Sequence, residues 1–458
     1  MSLTRTSHRQ HGQEGHRRTN RVLRALQAVG LCATAAGLLL LASTGSAPAA
    51  NTGSSFYAYS GSEPLKDFAP GSVLKTRTLS YHLTGIPTPI KVVQLLYRST
   101  GELGYPTVNV TSVIEPVIKS ATVRVVSYQS FYDSLNPADE PSAAIAGNQT
   151  LGGEIWTAEN GLIADFLLDG ITVVASDTEG QSADFAAGPV YGKNTLDSIR
   201  AAFNSAATGI PRTAKVAMLG YSGGAIATGW AAQLAPSYAP DVNKRLVGAA
   251  EGGILVDPAH NLQYISGSTI WSGVIPMSII GIARADRIDL ERYMSPYGVT
   301  LYNKMQSYSI ASALGAYPGL TWAKLAKPAY AIPDSVPPFV SAANKLDLGV
   351  RPMPTIPMFM GQGTGGVLEG TPVSAQYGAG DGVMVAADVR SLARKICASG
   401  VSVDYQQYDF SHVTSVPEWL PEATSWVLDR LEGKATPSDC ASIAPGNSLA
   451  LQKVLRAR

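Results

Sequence analysis

The sequence predicts an α/β fold, with a mostly parallel central sheet flanked by helices and an inserted helical cap. Short apolar runs rich in β-branched residues alternate with helix-like segments in two parts of the chain, and this alternation is typical of parallel sheets buried on both faces. Between the two parts, residues 255–345 lose the alternation and carry scattered prolines. Hydrophobic residues make up 45% of the 458 residues and charged residues 15%, so the chain can bury a large core.

The first part of the predicted core follows residues 51–80, whose Gly-, Ser- and Pro-rich composition predicts an irregular arm. The apolar runs after this arm predict strands at residues 90–97, 121–128, 171–175, 215–219 and 246–250. Helices are predicted among them, at residues 161–168, 196–207 and 225–234.

The cap segment (residues 255–345) is too long for a simple connection, and its mixed helical pieces predict an inserted cap or lid. Alternation then resumes, with strands predicted at residues 356–360 and 402–409 and helices at residues 383–398 and 417–431. The tail after Cys440 is expected to be poorly ordered. The predicted organisation is a leader at 1–49, a core at 50–254 and 346–440, the cap segment between the two core parts, and a tail at 441–458.

The first 49 residues have the pattern of a secretory signal peptide. Six arginines and one acidic residue precede or flank an uncharged stretch at residues 25–42, and the small-residue site Ala47-Pro48-Ala49 follows. We therefore expect cleavage near Ala49, export of the chain, and no transmembrane span in the mature protein. An uncleaved anchor is the alternative, although the apolar run is short for a bilayer. Arg17-Arg18 leaves the general and twin-arginine export routes both open.

The charge balance argues against nucleic acid as the main partner. The whole chain has 35 basic and 34 acidic residues, and 29 and 33 remain without the leader, whereas phosphate binding requires a basic surface. Three histidines and two cysteines also remain, too few for most His/Cys zinc clusters, so we predict no metal site. In an oxidising compartment Cys397 and Cys440 are expected to pair; two buried free thiols are the alternative.

A G-x-S-x-G motif is the strongest chemical signal in the chain. Gly220-Tyr221-Ser222-Gly223-Gly224 follows the predicted strand at 215–219 and opens the predicted helix at 225–234. This strand–turn–helix context is that of the nucleophile elbow of α/β-hydrolases. The serine there has a strained backbone, and the glycines two residues away on either side avoid Cβ clashes. A glycine-rich turn that only packs a helix on the sheet is the alternative.

A serine nucleophile needs a general base, and three histidines compete for that role. In α/β-hydrolases the acid and then the histidine follow the serine along the chain, which excludes His82. His260 lies at the entrance to the cap segment, whereas His412 follows the strand predicted at 402–409. The carboxyl end of a parallel strand is where such folds present functional side chains, so His412 is the predicted base.

The acid of the triad is predicted to be Asp381, which stands in Gly380-Asp381-Gly382 between the penultimate strand and His412. The alternative for this aspartate is an N-cap of the helix predicted at 383–398. Glu369, in the long loop before Asp381, is a competing acid, and Asp409 is a more remote one.

Beyond these motifs, the sequence resembles the secretory triacylglycerol lipases of the type that includes Candida antarctica lipase A and its actinobacterial relatives. The likeness covers nearly the whole mature chain. Besides the elbow, His412 and the Cys440 position, it rests on the blocks Phe56-Tyr57, Ser127-Tyr128-Gln129, Tyr132-Asp133-Ser134, Asp177-Thr178-Glu179-Gly180, Leu196-Asp197-Ser198-Ile199-Arg200, Gly248-Ala249-Ala250-Glu251-Gly252-Gly253 and Cys397-Ala398-Ser399-Gly400. Two departures are a longer loop before Asp381 and a single cysteine pair where some relatives have two.

The resemblance implies an α/β-hydrolase core with a helical lid that cleaves carboxylic esters. Carried over by position, Ser222 is the nucleophile, Asp381 the acid and His412 the base. Asp133 matches the aspartate that helps to form the oxyanion hole in this family, with the backbone N–H of Gly223 as the second donor. An aspartate can donate only when protonated, which requires a raised pKa. Without the resemblance, Asp133 would be interpreted as a turn residue.

The predicted function is therefore that of a secreted serine hydrolase, most simply a triacylglycerol lipase that needs no metal or organic cofactor. Its partner is a lipid or other ester substrate, at a lipid–water interface where the substrate is aggregated. The alternatives are a short-chain carboxylesterase or polyester hydrolase, a secreted serine peptidase, and a non-catalytic protein on a hydrolase scaffold. Apolar residues of the cap segment are expected either to line an acyl site or to form the cap's own core: Trp271, Ile275, Met277, Ile279, Ile280 and Trp322.

Overall fold

A nine-stranded sheet forms the centre of the molecule in the computed structural model, which describes residues 55–456. Its strand order is β1-β2-β3-β5-β4-β6-β7-β8-β9. The strands are β1 (Val73–Leu83), β2 (Ile86–Thr100), β3 (Pro106–Ile114), β4 (Arg124–Gln129), β5 (Thr172–Ser176), β6 (Lys215–Tyr221), β7 (Leu246–Gly252), β8 (Met358–Gly363) and β9 (Val403–Tyr408). Strands β1 to β3 pair antiparallel and β3 pairs antiparallel with β5, while the six strands from β5 to β9 in this order run parallel.

Helices cover the sheet and fill the connections. They are α1 (Pro141–Ile145), α2 (Glu154–Ala158), α3 (Asn160–Leu168), α4 (Gly188–Asn204), α5 (Gly223–Tyr238), α6 (Pro240–Asn243), α7 (Pro258–Ile265), α8 (Val274–Asp286), α9 (Pro296–Lys304), α10 (Ile310–Ala313), α11 (Trp322–Leu325), α12 (Pro337–Leu346), α13 (Ala386–Ala398) and α14 (Val416–Leu431). No helix within residues 55–456 is long and apolar enough to cross a membrane.

Both faces of the sheet are buried, as the continuous apolar strand runs predict. In β6, Val216 and Met218 pack with helices α4 and α5 in one core cluster. The intervening Ala217 and Leu219 pack on the opposite face with residues of α3 and α14. Because side chains alternate along a strand, a parallel strand that is covered on both faces, as β6 is, carries apolar residues at successive positions. The predicted α/β class, with helices on both faces of a mostly parallel sheet, is confirmed.

The amino-terminal part of the sheet is where the sequence prediction was wrong. Strand β1 begins at Val73, inside the arm predicted at 51–80, and β3 was not predicted. Both belong to the antiparallel edge of the sheet, where polar residues alternate with apolar ones and weaken the apolar signal. Helix α4 also begins at Gly188, well before residue 196, with Pro189 in its first turn, where proline costs no hydrogen bond.

The tail is packed against the core, contrary to the expectation of poor order. Ile443 and Leu449 are buried, and the Asn447 amide donates to the Ala387 carbonyl of α13. The Cys397–Cys440 disulfide is present and joins the end of α13 to the start of the tail. The leader, its cleavage site near Ala49 and the export signal lie outside the described residues.

The cap segment is helical, from α7 through α12, and its residues form most of a separate apolar cluster. It is connected to the chain after β7 and before β8. It also contacts the loop after β4, since the Ile310 amide donates to the Asp133 carbonyl at 2.7 Å and Leu135 N donates to Tyr308 O at 2.8 Å. The cap segment therefore lies over the carboxyl ends of the parallel strands.

Candidate active site

Ser222 lies at the sharp turn between β6 and α5. Its φ of 55° and ψ of −119° are outside the regions that side-chain-bearing residues ordinarily occupy. A Cβ at Gly220 would overlap the Gly224 carbonyl, and one at Gly224 would overlap the Gln129 carbonyl. The Ser222 amide donates to Gly252 O at 2.8 Å. The flanking glycines therefore permit a turn whose strained backbone is held by the neighbouring strands.

His412 bridges Ser222 and Asp381. Its Nε2 lies 2.7 Å from Ser222 Oγ, and its Nδ1 lies 2.7 Å from Asp381 Oδ2. The loop between β9 and α14 carries His412, whose amide donates to Asp381 O at 2.6 Å while its carbonyl accepts from Tyr221 Oη at 2.7 Å. Backbone and side chain are thus both fixed, and three residues far apart in sequence form one hydrogen-bonded chain.

Asp381 is fully buried and does not cap a helix. Helix α13 begins at Ala386, and the Oδ1 atom of Asp381 instead accepts the amides of Val383 at 3.0 Å and Met384 at 2.7 Å. Its Oδ2 atom accepts from Gln362 Nε2 at 2.9 Å as well as facing His412. These donors stabilise a buried carboxylate, so Asp381 can present a negative charge to the imidazole.

Burial and neighbouring charge act in opposite directions on the His412 pKa. Burial lowers it, but the adjacent Asp381 carboxylate and its hydrogen bond raise it more, with smaller contributions from Glu369 and Asp133. The net pKa of His412 is raised above its ordinary value of 6.5. The arrangement therefore favours the imidazolium that forms when the ring takes a proton.

Glu369, the competing acid, lies close to His412 but is bonded to other groups. Its Oε2 accepts from Trp271 Nε1 at 2.7 Å, and its Oε1 accepts from the Val413 amide at 2.9 Å. The Trp271 ring stands edge-on to the imidazole, with the ring centres 5.1 Å apart. Asp409 is exposed and bonds Thr364 Oγ1 at 3.3 Å. Of the three acids, Asp381 is the one bonded to the imidazole.

Asp133 faces the elbow from the loop that follows β4. Its φ of 32° lies in the left-handed region, which aspartate adopts more readily than most residues. The side chain is buried against Gly223, since a Cβ built there would lie 2.5 Å from Asp133 Cγ and overlap its Oδ1. Burial raises the pKa of Asp133 to about 8, although His412 opposes this shift. This shift favours the protonated carboxyl, which is the form that can donate a hydrogen bond.

Two further buried acids hold the Asp133 loop, and the sequence reasoning assigned them no such role. Glu159 Oε1 accepts the Phe131 amide at 3.0 Å, and Glu179 accepts the Ser134 amide at 3.0 and 3.2 Å. Glu179 belongs to the Asp177-Thr178-Glu179-Gly180 block, so the sequence marks it without indicating its partner. The two carboxyls fix the loop on both sides of Asp133.

An apolar cavity that opens to solvent adjoins Ser222, with about 120 Å³ available to the centres of water-sized molecules. Its walls come from the elbow, the Asp133 loop, the cap segment and the turn after Asp381. Polar lining side chains are few, and the lining is dominated by apolar residues: Phe185, Ile226, Leu255, Leu262, Ile265, Trp271, Val274, Ile275, Ile279, Ile282, Ile288, Leu290, Ile310, Trp322, Phe339, Val383 and Met384.

Four of the six cap residues singled out from the sequence line this cavity: Trp271, Ile275, Ile279 and Trp322. Ile280 instead lines a smaller neighbouring cavity, and Met277 is buried in the apolar cluster of the cap segment without lining either. Ile275 and Ile279 are one helical turn apart on α8, so they share a face. Both sequence-based interpretations therefore apply, each to a different face of the helix.

The other two histidines are bonded elsewhere. His260 Nδ1 lies 2.9 Å from Asp388 Oδ2 and its Nε2 lies 3.3 Å from Asp257 Oδ2, and His82 Nδ1 lies 3.0 Å from the Ile145 carbonyl. Neither is bonded to Ser222. Across residues 55–456, no three His, Cys, Asp or Glu side chains are grouped in a way that could hold a metal ion.

Comparison with known proteins places this chain in a family. A family model described as secretory lipase matches residues 149–439. Lipase 5 of Candida albicans is 31% identical over 399 residues, covering 84% of this chain and 82% of the lipase. A Mycobacterium tuberculosis relative named a probable inactive lipase is 28% identical over 376 residues, covering 80% of this chain and 79% of that protein.

The fold is also that of a solved lipase. The structure of Candida antarctica lipase A in its closed state superposes with a TM-score of 0.75 at 23% identity, covering 86% of this chain and 90% of that one. At this identity the likeness shows the fold, and the family follows from the matched family model and the Candida albicans relative. The chain belongs to the secretory lipase family and is a carboxylic ester hydrolase with an α/β-hydrolase fold.

Proposed function

We propose that this protein is a secreted triacylglycerol lipase that works through a Ser222–His412–Asp381 triad and an acyl-enzyme. The observation that carries the proposal is the chain of 2.7 Å hydrogen bonds from Ser222 Oγ through His412 to Asp381, at the edge of an apolar cavity. Nucleophile and base are within proton-transfer distance, and the base is oriented by a buried carboxylate.

In the first step Ser222 Oγ attacks the ester carbonyl carbon while His412 Nε2 takes its proton. The tautomer with Nδ1–H donated to Asp381 leaves Nε2 free to accept, and the carboxylate then stabilises the imidazolium. Collapse of the tetrahedral intermediate breaks the bond to the alcohol. His412 returns the proton to the leaving alkoxide, and the acyl group remains on Ser222.

The oxyanion of that intermediate is stabilised by two donors, the Gly223 backbone N–H and the protonated Asp133 carboxyl. Gly223 directly follows the nucleophile and begins α5, and Asp133 is packed against it. Each donor of this kind contributes roughly 3 kcal/mol to lowering the barrier in serine hydrolases.

In the second step water replaces the alcohol. His412 Nε2 takes a proton from water as the water oxygen attacks the acyl carbonyl. The bond to Ser222 Oγ then breaks, His412 returns the proton to Ser222 Oγ, and the carboxylic acid leaves. All groups for both steps belong to this chain, so the mechanism requires no cofactor.

The apolar cavity supports long acyl chains as the substrate class. A cavity lined by Ile275, Ile279 and Trp322 offers an aliphatic chain removal from water, which is worth about 0.8 kcal/mol per buried CH₂. A short-chain carboxylesterase or a polyester hydrolase would use the same triad with less of this cavity. A peptide substrate has amide groups that need hydrogen-bond partners when they are buried. The cavity lining has few polar groups, so it does not favour a peptide.

A panel of p-nitrophenyl esters from acetate to palmitate, together with a triacylglycerol and a peptide amide, tests this function on the purified mature protein. We expect kcat/KM to rise with chain length and Ser222→Ala to abolish turnover of every ester. If the protein hydrolysed only the acetate ester well, it would be a short-chain esterase and not a lipase. Wild-type activity in Ser222→Ala would remove the triad assignment. If the protein bound esters without hydrolysing them and did not react with a fluorophosphonate probe, it would be a non-catalytic protein.

Secretion is the remaining part of the proposal. It is supported by the secretory lipase family and by the leader pattern in the first 49 residues. Amino-terminal sequencing of the protein from the culture medium should give a first residue near position 50. Recovery of the full-length chain in the membrane fraction would instead indicate an uncleaved anchor.

A further inference from the structure

The loop between β8 and α13 has an unusual composition. From Thr364 to Gly380 its seventeen residues include one charged side chain, Glu369, and that side chain is buried. The exposed surface of this loop therefore carries no formal charge.

The same loop exposes large apolar side chains. The exposed fractions are 64% for Val367, 68% for Leu368 and 59% for Val373, and Phe410, whose carbonyl accepts the Gly365 amide at 2.8 Å, is 42% exposed. We call these four side chains the apolar rim. Folding leaves these side chains in water, so a partner that covered them would gain free energy from burying their apolar surface.

The apolar rim is attached to the candidate active site. Leu368 directly precedes Glu369, which bonds Trp271 Nε1 and the Val413 amide, and Phe410 is two residues before His412. Trp271 also lines the apolar cavity. A phase that covered the rim would thus lie beside both the catalytic histidine and the wall of the acyl cavity.

We propose that the apolar rim is the docking surface by which the protein inserts into the surface of an aggregated, uncharged ester lipid. This rests on the proposed lipase function and specifies where that substrate is met. The four rim side chains are uncharged, and the exposed Asp409 beside Phe410 is the charge that the sequence places next to them. Such a surface suits an uncharged oil phase better than a strongly anionic or cationic partner. Leu368 is linked to the cavity wall through Glu369 and Trp271, so a lipid that covers the rim would present its acyl chains near the cavity that adjoins Ser222.

A second exposed apolar position provides a matched control. Ile118 is 63% exposed, but it lies before β4, at the amino ends of the parallel strands, where its carbonyl approaches Gly170 ahead of β5. An ion pair between Glu115 and Lys119 adjoins it. Ile118 therefore matches Leu368 in exposure and chemistry while facing away from the site.

The test measures adsorption to triolein droplets with the full mature chain in a Ser222→Ala background, so that no hydrolysis occurs. The test variant is Leu368→Ser and the control is Ile118→Ser, so that each loses one apolar side chain of similar exposure. We expect the test variant to adsorb about tenfold more weakly or worse, since each lost apolar side chain is worth roughly that factor when fully buried. The control should adsorb like the parent, and high salt should not weaken adsorption, because the rim side chains and triolein are both uncharged.

The same substitutions are then made in the active protein, with Ser222 retained, and hydrolysis rates are measured. The rim variant should lose about tenfold or more on emulsified triolein while its rate on dissolved p-nitrophenyl butyrate stays within about twofold of wild type. Equal adsorption of the rim and control variants would overturn the proposal. The proposal would also be overturned if the wild-type protein were a dimer in size-exclusion chromatography, the rim variant were a monomer, and both adsorbed equally. The rim would then be an interface between two copies of the chain. If no variant hydrolyses any ester but the adsorption difference persists, the proposed function fails and the docking surface stands.

Discussion

The Asp133 carboxyl occupies the space in which a side chain on Gly223 would begin: a Cβ built on Gly223 would lie 2.5 Å from Asp133 Cγ and closer still to Oδ1. Glycine at position 223 is thus required by contact with the opposite loop, in addition to the sharp turn at Ser222. The two residues bring an acidic side chain and a backbone N–H to the same end of the cavity, beside the predicted nucleophile.

Substitution of Gly223 by alanine should damage both activity and stability. The added methyl must displace Asp133, and overpacking of this kind costs roughly 1–3 kcal/mol of folding free energy. We expect urea denaturation to show this loss for Gly223→Ala and a smaller loss when the same change is made in Asp133→Ala, which removes the obstructing carboxyl. Equal costs in the two backgrounds would show that the clash lies elsewhere.

The pH dependence of kcat/KM should be bell-shaped. His412 must be neutral to accept a proton. Burial lowers its pKa, but Asp381 raises it more, to a net value above 6.5. On the acid side, kcat/KM should therefore rise as the pH passes through the pKa of His412. Burial raises the pKa of Asp133 to about 8, so above this pH the carboxyl loses the proton that it donates and the rate should fall.

Two variants of Asp133 separate donation from charge. Asp133→Asn keeps an N–H donor that does not titrate, so we expect it to retain activity and to lose the alkaline limb. Asp133→Leu has no donor and should lose on the order of a hundredfold or more in kcat. If Asp133→Asn kept the limb near pH 8, another acid would be responsible, and Glu159 is a candidate because burial raises its pKa to about 8 as well.

The identity of the triad acid can be decided by comparing two amide substitutions. Asp381→Asn removes the charge bonded to His412 and should lower kcat on the order of a thousandfold or more, with the acid limb moving to lower pH. Glu369→Gln keeps an acceptor for Trp271 and should lower kcat less than about tenfold. The opposite ranking in steady-state kinetics would assign the acid to Glu369.

Loss of the disulfide should affect stability and not chemistry. Cys397 and Cys440 are 43 residues apart, and closing a loop of that size stabilises a fold by about 4 kcal/mol in the chain-entropy model. The double variant Cys397→Ala/Cys440→Ala should show this loss in urea denaturation, while its kcat on a dissolved ester at low temperature matches that of the wild type. An unchanged denaturation midpoint would mean that packing of the tail alone holds the two ends together.

The parallel half of the fold could be predicted from the sequence because its strands carry a simple signal. Strands such as β6 and β7 are buried on both faces, so they are continuous apolar runs, and the helices between them begin and end near glycine or proline. Strand β3 carries Asn109, Thr111 and Ser112 among its apolar residues. All three are buried and hydrogen-bonded to residues that are remote in sequence and come close only in the folded protein. The local sequence pattern therefore does not predict this strand.

The site shows a similar division. Ser222 has a motif, and His412 emerges by elimination because so few histidines exist, so their positions could be inferred from the sequence. The partners of Glu159, Glu179 and Glu369 could not, since each accepts backbone amides from a loop that is remote in sequence. In the sequence, a buried acid that binds loop amides cannot be distinguished from an exposed one, because its partners come close only in the folded protein.

Trapping of the acyl-enzyme tests the central claim most directly. The mature protein is mixed with a long-chain p-nitrophenyl ester, quenched in acid within the first turnover, digested and analysed by mass spectrometry, with Ser222→Ala treated in parallel. We predict the mass of the acyl group on the peptide that contains Ser222 and no such mass in the variant. Continued turnover without acylation of Ser222, or an acyl group on a different residue, would contradict the account.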